Sequence, residues 1–287
     1  MESLPEQRFI EVARGVTAVI SGRGEAGVAN TAFVVDQGEA VLLDTTLLPE
    51  WAEPVRREIR SRGARVRTVV NSHHHVDHVG GNAAFPEARV VAHRVSAAFV
   101  EDMVRERPPL ERVIPRYASL VRTEELRVPE AMAEVVVDLP GDGRVLALGP
   151  AHTPMDLAIW LPGSRTLLAG DLCFKGVTPL AAHGDVAGWI SALDTLLALR
   201  PAVVVPGHGP LATAADLVCL RGYLRAVRDA ARAAVEDGTG PAEAARRLDP
   251  GPVGDWLEPE RTVLNLQVTM ARLVQAGRPA PAPTPAP

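Results

Sequence analysis

Cysteine is almost absent from this chain: Cys173 and Cys219 stand far apart among 287 residues. Two such thiols form no disulfide framework, and their scarcity fits a reducing compartment. A chain of this length can bury about three-quarters of its unfolded surface, so its core needs no covalent staples. Aromatic residues amount to 4% and the formal net charge is -5. Both argue against a nucleic-acid binder, which needs a basic surface and stacking rings. No apolar run reaches the roughly eighteen residues of a membrane span. The first residues show no positive region followed by an apolar stretch, so the expectation is a cytoplasmic protein without a secretory leader. What is left, at 47% hydrophobic and 23% charged residues, is an ordinary globular composition.

Short β-branched or apolar runs at 16–20, 31–35 and 40–43 predict strands, with Gly38 in a tight hairpin between the second and third. A helix is predicted from Pro49 to about Arg62. Proline suits its first turn, Glu53–Arg57 and Glu58–Arg62 are i,i+4 pairs, and Gly63 is placed to end it. The run 66–70 predicts a buried strand that leads into a histidine cluster. From Arg105 to Pro129, four prolines and no clean period predict an irregular or helical insertion, whose Leu110, Val113, Ile114 and Tyr117 would cover a pocket. Strands are predicted again at 134–138, 144–149, 157–161 and 166–169. Trp189, Leu193, Leu196 and Leu197 mark one face of a helix stopped by Pro201, before a last strand at 203–205. Thr213 with Asp216 reads as a capping box opening a helix toward Val235, and a further helix is predicted at 259–275. Residues 1–276 are read as one catalytic domain and 277–287, rich in Pro and Ala, as a disordered tail. So many apolar strands call for a helix-flanked pair of sheets.

The chemistry is concentrated in Asn71-Ser72-His73-His74-His75-Val76-Asp77-His78, followed by Gly80-Gly81-Asn82. The spacing His73-x-His75 lets two imidazoles converge on one ion from an extended loop, and Asp77 with His78 can turn to a second ion beside it. His152, Asp171 and His208 each follow an apolar strand and would be presented at a strand end. Imidazole and carboxylate ligands suit zinc, with iron or manganese as alternatives. Two ions about 3.5–4 Å apart could polarise a carbonyl and bring a bridging water's pKa toward neutrality.

With these residues the chain resembles the metallo-β-lactamase superfamily, whose signature is His-x-His-x-Asp-His; the resemblance covers nearly everything up to about residue 276. It implies an α/β (α+β) fold, a four-layer αββα sandwich. It further implies two zinc ions, the first on His73, His75 and His152, the second on Asp77, His78 and His208, with Asp171 bridging. Asp44 would brace the metal loop. Val76 stands where many relatives have glycine, and His75 stands where flavodiiron-type members carry Glu. His74 is expected to point away from the ions, since both its neighbours point in. His93 is read as structural, Cys173 as a packed inert thiol, Lys175 as a solvated surface lysine, and His183 as a residue that faces the pocket.

Narrower segments resemble the second- and third-ring cyclases of aromatic polyketide pathways. These are Gly149-Pro150-Ala151-His152-Thr153 through Trp160-Leu161-Pro162, Gly176-Val177-Thr178-Pro179, the run from Pro241 to Arg247, and Glu260 to Asn265. That resemblance implies a cyclase/thioesterase acting on a carrier-protein-bound poly-β-ketone. Asp77 and Asp171 would be its catalytic carboxylates, with Asp77 orienting the attacking water, and Leu110, Ile114, Tyr117, Thr178, Leu180 and His183 would shape its pocket. The alternative is a general hydrolase of a small ester, lactone, thioester or β-lactam. Either reading expects a small-molecule or carrier-bound substrate, with neither nucleic acid nor membrane as partner; a homodimer is left open.

Overall fold

In the computed structural model, which describes residues 5–276, eleven strands fall into two sheets. The elements run β1 (Gln7–Ala13), β2 (Val16–Ser21), β3 (Thr31–Asp36), β4 (Glu39–Leu43), α1 (Pro49–Ser61), β5 (Arg65–Val70), α2 (Val76–Val79), β6 (Arg89–His93), α3 (Arg94–Glu106) and β7 (Glu130–Met132). They continue through β8 (Arg144–Leu148), β9 (Asp156–Leu161), β10 (Thr166–Phe174), α4 (Val186–Ala198), β11 (Val203–His208), α5 (Ala214–Asp237), α6 (Pro241–Arg247) and α7 (Arg261–Ala276). β1 to β7 make the first sheet in sequence order, and β11-β10-β9-β8 make the second.

Alternation along the strands decides how the layers stack, because successive side chains leave opposite faces of a sheet. In β2, Val16, Ala18 and Ile20 join Ala32 and Val34 of β3 and Val41 and Leu43 of β4 in a core shared with Leu157, Ile159 and Leu161 of β9, Leu168 of β10 and Val205 of β11. The intervening Val19, Phe33, Ala40 and Leu42 face the other way, onto Ala52, Val55 and Ile59 of α1. Trp189 and Leu193 of α4, Leu220 and Leu224 of α5, and Leu266 of α7 cover the outer face of the second sheet. The result is four layers, helix–sheet–sheet–helix, as the resemblance implied.

The predicted hairpin is present: Asp36 pairs with Glu39 across Gln37 and Gly38, whose φ values of 48° and 80° suit the tight two-residue turn. Gly63, at φ 74°, follows the end of α1, and Glu58 meets Arg62 at 2.9 Å. Glu53, however, is found with Arg56, one residue short of the predicted Arg57. The capping box of α5 is formed on both sides. Two strand expectations need correction. Residues 134–138 belong to no strand: Val135 is buried and Val136 is 67% exposed, so the apolar alternation belongs to an extended connection. The strand pairing there is the three-residue β7, parallel to β6. The run predicted at 166–169 is instead nine residues long and carries Asp171 inside it. β1, α3 and α6 were not foreseen. The insertion begins with the last residues of α3 and continues as turns. The Pro/Ala-rich tail lies outside the described residues.

Candidate metal centre

The site lies where strands of both sheets end. β4 runs into Asp44, β5 into Asn71 and the histidine loop, and β11 ends at His208. Asp171 comes from the interior of β10, where the pairing with β11 slips after Leu168 and Gly170 adopts φ 50°. The slip opens the ladder beside the carboxylate. A side chain at Gly207 would meet Asp171 Oδ1 at 1.9 Å, so only glycine lets β11 close behind that group.

Ligand atoms of His73, His75, His152 and Asp171 lie within 4.8 Å of one another, and so do those of Asp77, His78 and His208. Asp171 joins the two groups. Its Oδ2 is 3.2 Å from His152 Nε2, 3.8 Å from His73 Nε2 and 3.6 Å from His208 Nε2, while Oδ1 is 3.1 Å from His78 Nε2. Asp77 Oδ2 stands 3.4 Å from His208 Nε2. All seven residues that the sequence marked as ligands are therefore gathered at one point.

The surrounding hydrogen bonds decide where the protons sit. His78 Nδ1 meets Asp44 Oδ2 at 2.8 Å, His208 Nδ1 meets the Gly24 carbonyl at 3.0 Å, and His73 Nδ1 meets Ser72 Oγ at 2.9 Å. Carboxylates and carbonyls only accept, so each of these outward nitrogens donates, and the opposite one is the atom that can offer a lone pair to an ion. Ser72 Oγ donates to Asp44 Oδ2 at 2.7 Å, which leaves its oxygen free to accept from His73. The inward atoms His73 Nε2, His78 Nε2 and Asp171 Oδ1 are buried without a hydrogen-bond partner among the described residues. Buried polar atoms are rarely left so, and a cluster of them all facing one point is a set of ligands. The donor set and its wiring fit a metal ion in each group, with nitrogen and oxygen ligands of the kind zinc takes.

Electrostatics agree. Burial holds His73 and His75 well below the usual imidazole range, so both are neutral ligands. Burial would depress His78 as well, but Asp171 and Asp44 outweigh it and lift it well above that range. Burial favours the neutral form of Asp171, and His78, His208 and His152 overcome this, leaving the carboxylate ionised. Behind the site, Phe174 stacks on His208 at 5.1 Å and Trp189 packs on His152 at 5.0 Å, closing that side with apolar surface.

Several supports were not foreseen. Asn71, Thr45 and Asn82 cage the turn that carries Asp77 and His78: the Asn71 amide donates to the His78 carbonyl and to Asn82 Oδ1, and the Thr45 hydroxyl, within reach of the same two oxygens, donates its one proton to the nearer, Asn82 Oδ1, at 2.9 Å. Asn30 donates to the carbonyls of Pro206 and Gly209 and so ties the first sheet to the His208 loop. Asp156 closes the loop of His152 by accepting from the Thr153 amide and hydroxyl. For Asn71, Asn82 and Asp156 the available signal was position, a polar residue within a few places of a ligand, whereas Asn30 lies far from every ligand in sequence.

A cavity of about 350 Å³ opens onto this centre, within the range of small-molecule sites. Leu110, Val113, Ile114, Leu180 and His183 line it as expected, together with Phe99, Met103 and Arg261, which were not singled out as pocket residues. Tyr117 and Thr178 do not line it. Tyr117 is buried behind the wall, edge-on to Trp51, and Thr178 lies beneath, bound through its backbone to Leu257 and Arg261. Lys175 is no solvated lysine: it donates to the Leu211 carbonyl and to Asp216. His93 caps α3, and Cys173 is fully buried, its thiol pushed up by burial.

Comparison with known proteins gives one family and one fold. The family model described as the metallo-beta-lactamase superfamily matches residues 24–208. A hydroxyacylglutathione hydrolase of Synechococcus sp. (strain JA-2-3B'a(2-13)) is 29% identical over 174 residues, 59% of this chain and 58% of that protein. The 2,4-dinitroanisole O-demethylase subunit alpha of Nocardioides sp. (strain JS1661) is 29% identical over 190 residues, 63% of this chain and 53% of that protein. The chain thus spans a little over half the length of these curated relatives. Among solved structures, the DIM-1 metallo-beta-lactamase superposes with TM-score 0.60 at 19% identity, covering 78% of this chain and 99% of that one. A metallo-beta-lactamase from Pontibacter korlensis gives TM-score 0.61 at 20% identity, covering 77% and 99%.

Proposed function

The chain belongs to the metallo-β-lactamase superfamily, and on that footing we propose that it is a dinuclear zinc hydrolase that cleaves thioesters carrying a bulky apolar acyl group. The observation that carries this reading is the cluster of unpartnered ligand atoms beside a largely apolar cavity that His75, Asp77, His152, Asp171 and His208 also line. Zinc ions, when bound, would supply Lewis acidity toward the substrate carbonyl and bring a water's pKa toward neutrality. His73, His75 and His152 would hold the first ion, Asp77, His78 and His208 the second, and Asp171 would bridge.

The chain's own groups account for the rest. Burial works against charge on Asp77, yet its hydrogen bond with His208 and the nearby His78 keep the carboxylate ionised. Asp77 lines the cavity, so it can accept a hydrogen bond from the attacking water and orient it. Phe99, Met103, Leu110, Ile114 and Leu180 offer an acyl group an apolar wall and exclude water from it. A thioester suits this site because its leaving group is weakly basic, with a thiol pKa of about 8.5, and departs without a strong proton donor. The hydroxyacylglutathione hydrolases among the relatives are named for a thioester substrate, which supports the same choice.

The polyketide cyclase/thioesterase is kept as a second reading, for which the apolar lining of the cavity offers a surface. One experiment separates the readings: metal analysis of protein purified without a histidine tag, paired with hydrolysis of acyl thioesters of graded size. Two zinc ions per chain and chelator-sensitive cleavage that improves with acyl bulk are expected. Absence of stoichiometric metal, or equal rates after its removal, overturns the proposal. Ring closure of a carrier-bound poly-β-ketone would move the assignment to the cyclase.

A further inference from the structure

The outward nitrogens of His73, His78 and His208 rest on buried serine, aspartate and backbone groups. His75 differs. Its Nε2 lies 2.9 Å from Nδ1 of His183, an exposed residue of the loop between β10 and α4 that also lines the cavity. On the other side of the ring, His75 Nδ1 faces into the first ligand group, 3.1 Å from His152 Nε2.

A neutral imidazole carries one proton. For Nδ1 of His75 to offer a lone pair inward, the proton must sit on Nε2 and be donated outward. His183 Nδ1 is the acceptor at that position, which puts the proton of His183 on its own Nε2. His74 Nε2 lies farther from His183 Nδ1, at 3.3 Å, so the single lone pair there goes to the nearer His75. The His74 ring is itself held by stacking on Phe99, with centroids 4.4 Å apart and planes at 18°.

We infer that His183 is a positioning residue: it accepts the Nε2 proton of His75, fixes that ring's tautomer and orientation, and so sets the affinity of the first metal group. The inference rests on the dinuclear reading above. It makes the grip on one ion depend on the cavity wall, through a residue that sits where substrate would pass, whereas the second ion is held from the buried side by Asp44 and Gly24.

The test is zinc binding by chelator competition on the full chain, with wild type, His183→Ala and His183→Gln. Glutamine offers a side-chain oxygen that can accept the His75 proton; alanine offers nothing. Loss of such an outer partner weakens metal binding by about 10–100-fold. His183→Ala is therefore expected to weaken one of the two zinc-binding steps by that factor and leave the other unchanged, and His183→Gln to recover most of the loss. Wild-type affinity in both steps of His183→Ala overturns the inference. So does equal weakening of both steps, or an identical loss in the two variants, since either marks a role in the loop alone. A wild-type chain that takes up no zinc overturns the metal reading and this inference with it. That failure shows in wild type, the other only in the variants.

Discussion

Replacing Asp44 by asparagine exchanges one oxygen for a nitrogen, yet it should disable half of the centre. Asp44 is 1% exposed and closes β4 with φ 64°, a left-handed conformation that asparagine tolerates well. Its Oδ1 accepts from the Ser72 amide at 2.7 Å, and its Oδ2 accepts from both Ser72 Oγ and His78 Nδ1. In the variant the oxygen stays on the Ser72 amide, and the new –NH2 faces the other two. His78 Nδ1 then faces a donor, so a neutral His78 must carry its proton on Nε2, the atom 3.1 Å from Asp171 that should be a ligand. The expected cost is the loss of an outer partner, about 10–100-fold in affinity for the second ion. That equals roughly 1.4–2.7 kcal/mol. Chelator competition and metal counting check it, with Asp44→Ala as a harsher comparison that also strains the backbone. If Asp44→Asn holds both ions with wild-type affinity, the tautomer reasoning is wrong.

Two further predictions concern the cavity and the acid side of the stability curve. Leu180→Trp, which fills the apolar end of the cavity, should raise KM for bulky acyl thioesters while sparing acetyl ones; a uniform change across acyl sizes would place the acyl group elsewhere. Burial pushes Asp156 up to about 6 from its ordinary 3.8. The folded chain therefore keeps a proton there that the unfolded chain releases, and stability falls as pH rises through this window. A shift of roughly two units corresponds to about 3 kcal/mol. Denaturant unfolding should thus show the stability difference between Asp156→Asn and wild type moving toward the variant by about that amount between pH 4 and pH 7, whereas a difference that stays flat would refute the assignment.

The ligands were legible because the chemistry demands particular residue types at close spacing, and the loop from His73 to His78 carries five candidates in six residues. The elements with strong local signals were legible too: the Gln37-Gly38 hairpin, the Thr213/Asp216 capping box and the Gly63 end of α1. What escaped was set by the tertiary arrangement. Asn30 is an ordinary loop residue until the second sheet brings the His208 loop against it. Thr178 and Tyr117 carry pocket-like side chains, but their backbone positions turn those side chains into the layers behind the wall. The strand expected at 134–138 failed for a related reason. Alternation shows which residues face a core, whereas strand identity needs a partner with free backbone groups, and β6 pairs with Glu130–Met132 instead.

The same proton wiring leads to one more expectation. Asp44, Asp77 and Asp171 are buried carboxylates, each no more than 7% exposed, gathered around neutral His73 and His75. Without ions, positive charge on His78 and His208 helps to offset them, and both are lifted, although burial alone would depress them. Their Nδ1 protons are committed to Asp44 and the Gly24 carbonyl, so the extra proton on each sits at Nε2, where a metal would bind. Loading the centre must therefore expel those protons, because a ligand nitrogen needs its lone pair. Filling both positions should therefore release protons from His78 and His208 in a weakly buffered titration near pH 6. Asp44→Asn should release fewer, since its second position fills poorly. No release at that pH would mean that His78 and His208 are neutral before the ions arrive and that the carboxylates are balanced in some other way.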